Sequence, residues 1–290
     1  MRPSIVATAV SLPFGSQSVV QSAWLEKLRG LPAKVPASAL YAGRGFGLAV
    51  QAATNAKARM YILSAGLGLV GASDRVPSYG LTVSDGHAES VAARVSGEFD
   101  ATTWFSALLS SPYSKEWAEA VGRSGRILVA LTRPYAEMVG SSLAESDPAI
   151  LPRLRIFGAA LSAALPTALR PAIAPYDDRL DAILPGTRAD FSQRALLHFV
   201  NFVAAKTEAR DRQADFAAVE AALGRVAAPD RTRRPRRTDE EILQLISARL
   251  QSEFGIARIL RALRDEEGVA CEQSRFSRLY RTAVDRRTAA

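Results

Sequence analysis

Asp74 is the acidic residue best placed to handle a water molecule, because it follows the second predicted strand in a glycine-rich loop. Ligands of open α/β sheets collect at the carboxyl ends of the strands, where a carboxylate can act as a general base. Ser64, Gly66 and Gly68 belong to the same loop and would let the backbone approach a base or a phosphate closely. The alternative is a tight turn in which the aspartate only caps backbone N–H groups.

A second group of polar side chains precedes and opens a predicted helix near residue 190. Its members are Tyr176, Asp177, Asp178, Arg179, Arg188, Asp190, Arg194 and His198. Arg194 and His198 are four residues apart, which places them on one helical face. Such a cluster could recognise a polar substituent such as a sugar. An ion-paired helix start with a hydrogen-bonded histidine would use the same residues.

The chain is basic, with a formal net charge of +8 over 290 residues. A basic excess of this size favours a polyanionic partner, because each neutralised phosphate releases condensed counterions. From Arg231 onward the chain has 14 arginines and 9 acidic residues, so we expect DNA as the partner. A solvated basic surface without a partner is the alternative. The predicted DNA contacts are Arg44, Arg188, Arg194, Arg233, Arg234, Arg236, Arg237, Arg275, Arg278 and Arg281.

Composition argues against metal and membrane functions. Cys271 is the single cysteine, and the histidines are His87 and His198, so no zinc site is expected. No run approaches the roughly 18 apolar residues of a membrane helix, and the N-terminus does not resemble a signal peptide. We therefore expect a cytoplasmic location.

Apolar runs alternate with helical patterns along the first two thirds of the chain. The predicted strands are 5–10, 60–64, 127–131 and 154–157. The predicted helices are 19–28, 46–56, 104–109, 117–121, 135–143, 191–204 and 211–226. The first three strands are nearly continuous in hydrophobic residues, which is typical of a parallel sheet buried on both faces. The alternation predicts a layered α/β fold.

The C-terminal part of the chain predicts a separate helical unit. We expect an α/β domain with a helical extension over 1–227, an arginine-rich linker over 228–238 and a helical DNA-binding domain over 239–290. Thr238 and Glu241 form a TxxE capping-box pattern at the first helix of that domain. Two more helical patterns follow, with Gly268 between them, as in a helix-turn-helix unit. A helical oligomerisation tail is the alternative.

Residues 37–84 resemble a group of domains related to the peroxide-stress YaaA proteins. The shared pattern is an LY segment with a following Phe, a strand reading YILSA, a G-L loop, an Asp and a Tyr. The matching residues are Leu40, Tyr41, Phe46, Tyr61, Ile62, Leu63, Ser64, Ala65, Gly68, Leu69, Asp74 and Tyr79. The resemblance covers about the first third of the chain. It departs from the group after the first strand, where TAVSLPFGSQ replaces a cysteine-containing, lysine-rich loop.

These domains, with the N-terminal part of archaeosine synthase, look like remote relatives of the uracil-DNA glycosylase superfamily. The resemblance implies a parallel-sheet, three-layer α/β core with added helices. It also implies that the loop after the first strand handles water, through Ser11 or Gln17, and shapes a base pocket through Pro13 and Phe14. Phe14 would stack on the base, with Tyr79 nearby in the pocket. The aspartate usual in this loop is missing.

The whole constellation is similar to that of anti-phage DNA glycosylases that excise glucosylated hydroxymethylcytosine. This resemblance implies a hydrolase that extrudes a modified base, breaks its N-glycosidic bond and leaves an abasic site without a cofactor. Two alternatives stay open. A non-catalytic DNA-binding stress or regulatory protein would fit the loss of the family cysteine and aspartate. An enzyme that exchanges or modifies a base would depend on a second small-molecule substrate.

Overall fold

The chain folds as two units, Met1–Pro229 and Asp230–Ala290, in a computed structural model. The structure describes residues 5–84, 86–204, 211–229, 237–250, 255–269 and 271–288. The boundary between the units falls in the arginine-rich segment for which the sequence predicts a linker. Arg233, Arg234 and Arg236 of that segment lie outside the described residues.

The strands of the first unit are short and pair two by two. Their bounds are β1 Ala7–Thr8, β2 Val35–Pro36, β3 Tyr61–Ser64, β4 Gly68–Gly71, β5 Arg75–Val76, β6 Tyr79–Gly80, β7 Ile127–Ala130 and β8 Leu154–Phe157. The pairs β1–β6 and β7–β8 are parallel, whereas β2–β5 and β3–β4 are antiparallel. The predicted strands at 60–64, 127–131 and 154–157 are therefore confirmed to within one residue.

The predicted parallel pairing is found for β1–β6 and β7–β8 but not for β3, which pairs antiparallel with β4. Gly68 has φ +87°, a left-handed conformation that favours glycine, and the chain reverses there. Ser64 is paired with Gly68 and Tyr61 with Gly71, so the predicted glycine-rich loop is mostly a second strand. The chain is an α/β protein with mixed pairing in small sheets.

Eight α-helices precede Pro229 in the described part of the chain. Their bounds are α1 Gln17–Arg29, α2 Arg44–Asn55, α3 Ala101–Leu108, α4 Trp117–Val121, α5 Arg133–Ala144, α6 Leu180–Ile183, α7 Phe191–His198 and α8 Arg212–Leu223. Helix α3 packs on α5, and α7 packs on α2, β7 and β8. No helix among the described residues is long and apolar enough to span a membrane.

Two buried tryptophans fix the turn between β3 and β4. Trp24 Nε1 donates to the Gly66 carbonyl at 2.7 Å, and Trp104 Nε1 donates to the Ala65 carbonyl at 2.8 Å. Gly66 is required here, because a Cβ at this position would lie 2.4 Å from the Tyr79 ring. The turn therefore holds Tyr79 against the end of β3.

Replacing Asp100 by alanine is expected to lower the free energy of unfolding by about 1 kcal/mol, the usual value of a helix N-cap. Asp100 Oδ1 accepts hydrogen bonds from the N–H groups of Thr102 and Thr103, at 2.8 and 3.1 Å, at the start of α3. The Thr103 N–H is the main cause that lowers the pKa of Asp100 below its ordinary value of 3.8. This stabilisation is complete above the ordinary pKa and is lost as the pH falls through the lowered one. Urea unfolding at several pH values measures it, with the exposed Glu98→Ala as the matched control, and equal losses in the two variants would contradict it.

The described residues of the second unit form three helices around an apolar centre. They are α9 Asp239–Arg249, α10 Ile256–Asp265 and α11 Gln273–Thr288. Thr238 and Glu241 form the predicted capping box, in which the Thr238 N–H donates to Glu241 Oε2 at 2.7 Å. Ile246, Leu263 and Phe276 lie in the shared core.

Candidate functional site

A cavity of about 880 Å³ lies between β3 and β7 in the first unit. Helices α2, α4 and α7 complete its walls. Arg59, just before β3, comes within 3.1 Å of the Cβ position on Gly122, which precedes β7. The two strands therefore start at the same end of the cavity. Its volume falls in the range of about 300–1,000 Å³ typical of small-molecule sites.

The walls of the cavity are mainly apolar and carry several aromatic rings. The aromatic residues are Tyr41, Phe46, Tyr61, Trp117 and Tyr135. The rings of Tyr41 and Phe46 are 5.5 Å apart between centroids, with an interplanar angle of 33°. Such rings offer flat faces on which a nucleobase can stack.

A hydrogen-bonded cluster of hydroxyl groups lies at the end of β3. Tyr79 Oη is 2.9 Å from Tyr41 Oη and 2.7 Å from Ser64 Oγ. Ser64 Oγ also accepts from the N–H groups of Gly66 and Leu67, at 3.3 and 3.0 Å, so its own proton is best donated to Tyr79. If Tyr79 then donates to Tyr41, the Tyr41 proton is left for a ligand in the cavity.

The phenols of Tyr41, Tyr79 and Tyr135 are uncharged at neutral pH. Burial raises the pKa of Tyr41 above its ordinary value, and burial together with Tyr41 raises that of Tyr79 further. Burial and the neighbouring Tyr79 raise the pKa of Tyr135 to about 12. These groups can donate hydrogen bonds but do not ionise in the physiological range.

The polar side chains in the cavity lining are neutral or cationic. The polar residues other than tyrosines are Asn55, Arg59, Ser124, Arg126, Thr132 and Gln193. No carboxylate belongs to the lining among the described residues. The site therefore offers neutral donors and acceptors at the Tyr41 and Tyr135 end. At the other end it offers the exposed Arg59, next to Arg126, which is paired with Asp215 at 2.8 Å.

The structure does not bring the predicted catalytic residues to the cavity. Asp74 Oδ2 accepts from the Gly71 N–H at 3.0 Å, the turn-forming role that the sequence left as the alternative. The side-chain amide of Gln17 bonds to the backbone of Asp100: Nε2 donates to the Asp100 carbonyl and Oε1 accepts from the Asp100 N–H, both at 2.8 Å. Ser11 Oγ donates to the Thr8 carbonyl at 2.7 Å. These three side chains support local structure.

The two residues predicted to form the floor of the base pocket, Pro13 and Phe14, do not line the cavity either. Phe14 is 70% exposed and Pro13 is exposed, so the prediction that they wall a pocket is wrong. Their loop is held by its backbone, because the Gly15 N–H donates to the Arg94 carbonyl at 3.1 Å. Ser64, by contrast, is fully buried beside the cavity and bonds to Tyr79, so these two predicted pocket residues do come together.

Arg194 is a structural residue, and the prediction that it contacts DNA is wrong. Its guanidinium is fully buried and forms ion pairs with Asp190 at 2.9 Å and Asp181 at 2.6 Å. Nη2 also donates to the Thr187 carbonyl at 2.8 Å. Arg44 pairs with the same Asp190 at 3.1 Å. A guanidinium enclosed in this way has no surface to offer a phosphate.

The rest of the second polar group forms local bonds outside the cavity. His198 is buried, with Nδ1 2.9 Å from Tyr176 Oη, and Asp177 pairs with Arg179 at 2.8 Å. Asp178 is half-buried and Arg188 is exposed at the helix start. An ion-paired helix start with a hydrogen-bonded histidine describes this region. The cavity lining includes Gln193 and Leu196 of α7 but none of the polar residues predicted here.

Three of the predicted arginines described in the second unit pair with acidic residues. Asp239 pairs with Arg275 at 2.6 Å and with Arg278 at 2.9 Å. Hydrogen bonds from Arg278, the larger cause, and from Arg275 lower the pKa of Asp239. Arg237 pairs with Glu241 at 3.1 Å, and Arg281 Nε donates to the Ser277 carbonyl at 3.3 Å. Arg278 and Arg281 are exposed, so a phosphate could reach them.

Sequence reasoning missed Tyr135, Gln193, Arg59 and Arg126. Tyr135 follows the end of β7, and the carboxyl end of a strand is where ligands collect in open α/β sheets. That rule could have found Tyr135. Nothing in the spacing of Gln193, Arg59 or Arg126 points to a shared cavity.

Comparison with family models, with curated proteins and with solved structures finds no match to the chain.

Proposed function

We propose that the first unit is a DNA glycosylase that takes an extruded, modified base into the cavity between β3 and β7. It hydrolyses the N-glycosidic bond and leaves an abasic site, and the modified base is a glucosylated hydroxymethylcytosine of phage DNA. The observation that carries the proposal is the composition of the cavity wall. Tyr41, Phe46 and residues 61–63, which belong to the pattern shared with glycosylase-like domains, all line it.

The shape and chemistry of the cavity suit a base that carries a sugar. Its volume of about 880 Å³ lies in the upper part of the range of about 300–1,000 Å³ for small-molecule sites. The rings of Tyr41 and Phe46 can stack on the base. Thr132, Gln193 and the phenols offer donors and acceptors for sugar hydroxyls.

Uncharged phenols near the cavity are suited to assist cleavage of an N-glycosidic bond. When the N-glycosidic bond cleaves, negative charge develops on the departing base and positive charge on the sugar. A hydrogen-bond donor held in place before the reaction stabilises the developing negative charge. Tyr135 and Tyr41 would supply that donor, and Gln193 or Thr132 would hold the attacking water.

A second candidate function is binding of DNA without catalysis. It is favoured by the cavity lining, which has no carboxylate among the described residues, and by Ser11, Gln17 and Asp74, whose side chains bond to local groups. Such a protein would hold a modified base without releasing it. Binding to modified DNA would then be tight and steeply salt dependent.

Purified full-length protein is expected to create alkali-labile sites only in DNA that carries glucosylated hydroxymethylcytosine. The protein is incubated with modified and unmodified DNA of one sequence, and alkali then cleaves the strand at each abasic site. Detection of the free base by mass spectrometry distinguishes hydrolysis of the N-glycosidic bond from direct cleavage of the DNA strand. Intact modified DNA in the presence of folded, DNA-bound protein would overturn the proposal and leave the binding function.

A further inference from the structure

Helix α11 of the second unit has one buried face and one polar face. Phe276, Leu279 and Ala283 are buried in the core of the unit, and they lie within about 60° of one another around the helix. The side opposite them is called the outer face of α11. Its described residues, all exposed or half-buried, are Ser277, Arg278, Arg281, Thr282 and Asp285.

The positive charge of the outer face comes from Arg278 and Arg281. Arg281 Nε donates to the Ser277 carbonyl at 3.3 Å, and no described acid pairs with it. Arg278 pairs with Asp239 at 2.9 Å, but its side chain is 59% exposed. An exposed ion pair contributes little free energy, so a nucleic acid can compete with the aspartate for Arg278. The acid of the outer face, Asp285, lies one turn beyond Arg281.

A shallow groove of about 350 Å³ connects the outer face of α11 with α10. The guanidinium of Arg264, on the α10 side, donates from Nη2 to the Cys271 carbonyl at 3.1 Å. Arg261 is exposed, and no described acid pairs with it. A positively charged surface therefore extends from Arg281 across the groove to Arg261. The polar residues that line the groove are Arg261, Arg264, Asp265, Gln273 and Ser277.

The shape of α11 suits the major groove of double-stranded DNA. The helix has 16 residues and is roughly 24 Å long at 1.5 Å per residue. The major groove of B-DNA, about 12 Å wide, admits an α-helix and presents acceptors on its base edges. The deep, narrow major groove of double-stranded RNA does not admit side chains. A polar, positively charged helix face is therefore matched to DNA.

The connection between α10 and α11 differs from that of a helix-turn-helix unit. Residues 266–272 separate the two helices, whereas a helix-turn-helix unit has a turn of about 3–4 residues. The predicted helix-turn-helix motif is therefore not the basis for assigning DNA to this unit. The basis is the pair of exposed, unpaired arginines, Arg261 and Arg281, beside one groove.

We propose that the second unit binds double-stranded DNA with the outer face of α11 in the major groove. Arg278 and Arg281 donate to base edges, and guanine O6 and N7 are the acceptors best matched to a guanidinium. Arg261, across the groove, pairs with a backbone phosphate and fixes the position of α11. This sequence-reading role goes beyond the function proposed for the first unit. It does not depend on that function, because a protein that binds DNA without catalysis would use the same surface.

The test measures binding of full-length protein to DNA duplexes. A preferred sequence is selected from a random duplex library, and Kd is measured for the selected and a scrambled duplex at several salt concentrations. Arg281→Ala is expected to reduce the preference for the selected duplex roughly tenfold or more, the usual loss for one base contact. Arg281→Lys keeps the charge but cannot form two parallel hydrogen bonds, so it should lose the preference and retain the salt dependence.

The matched control is Arg286→Ala on the same helix. Arg286 is exposed and lies about 140° around the helix from Arg281, so its loss should leave the preference unchanged. Arg261→Ala should weaken binding to both duplexes by the same factor. It should also reduce the slope of log Kd against log salt by about 0.9, the contribution of one phosphate contact in B-DNA. Circular dichroism verifies that all variants are folded.

Three results would overturn the proposal. The first is a selection that returns no preferred sequence, and the second is tighter binding to single-stranded DNA or to RNA of the selected sequence. The third is an equal loss of preference in Arg281→Ala and Arg286→Ala, since total charge rather than the outer face would then set the preference. Abasic sites are scored in a separate assay, so failure of the glycosylase function and failure of this surface are distinguished.

Discussion

Replacing Asp215 by asparagine is expected to lower the free energy of unfolding of the first unit by about 3–5 kcal/mol, the usual cost of removing one partner of a buried ion pair. Asp215 is fully buried. Its carboxylate accepts from Arg126 Nε and Nη2 and from Arg155 Nε, each at 2.8 Å. Asparagine has nearly the same shape but no charge, so both guanidinium groups would face a neutral amide. Urea unfolding followed by tryptophan fluorescence measures the change.

Fluorescence is a suitable probe because the tryptophans, Trp24, Trp104 and Trp117, all belong to the first unit. The matched control is Glu220→Gln on the same helix, since Glu220 is an exposed carboxylate that pairs with Arg179 at 3.0 Å. Losing an exposed pair should cost less than about 1 kcal/mol. Equal losses in the two variants would show that the buried ion pairs do not anchor α8.

Asp215 marks the limit of what periodicity predicts. The helical pattern over 211–226 predicted α8, and the structure has it at Arg212–Leu223. Asp215 lies four residues before Val219, and both are fully buried, because positions four apart share a helical face. An acid on an apolar face is a signal for a buried partner. One of the two partners, Arg155, lies inside an otherwise apolar strand, and nothing in the sequence connects it with Asp215.

The sequence predicted Asp74 at the wrong end of β3 for one structural reason. The sequence after Ser64 reads as a glycine-rich loop, which would leave Asp74 at the carboxyl end of the predicted strand. Because the chain reverses at Gly68 and pairs back along β3, it returns to the start of that strand, where Gly71 lies opposite Tyr61. Asp74, just beyond Gly71, is therefore at the opposite end from Ser64. The second strand of this hairpin, β4, has the sequence GLVG. Two of its four residues are glycines, which have low β-propensity, so composition does not predict a strand there.

Within the shared pattern, the hydroxyl-bearing residues come together at the cavity, whereas Asp74 does not. Tyr41, Ser64 and Tyr79 lie far apart in sequence but form one hydrogen-bonded cluster at the cavity. Asp74 and Gln17 stabilise the turn after β4 and the start of α3. Polar side chains that bond to nearby backbone are common in loops, so residue type alone overestimates how many of them act on a ligand.

Filling the cavity by Ala53→Phe is expected to reduce base release at least about 100-fold, because even small displacements of a reacting group cost factors of that size. Ala53 is a half-buried residue of α2 in the cavity lining. A phenylalanine ring there would occupy the space proposed for the base. Binding of the full chain to unmodified DNA should stay within about twofold, since exposed phosphate contacts supply most non-specific affinity.

The control for this variant is Gln51→Phe, which places the same ring at an exposed position of α2 outside the cavity lining. Base release is measured by alkali cleavage and mass spectrometry, and tryptophan fluorescence verifies that both variants are folded. If Ala53→Phe is folded and releases the base as fast as the native protein, the base does not enter between β3 and β7. If both variants lose activity equally, the effect comes from the surface of α2. Loss confined to Ala53→Phe would place the reacting base in the cavity, because the two variants differ only in which side of one helix carries the ring.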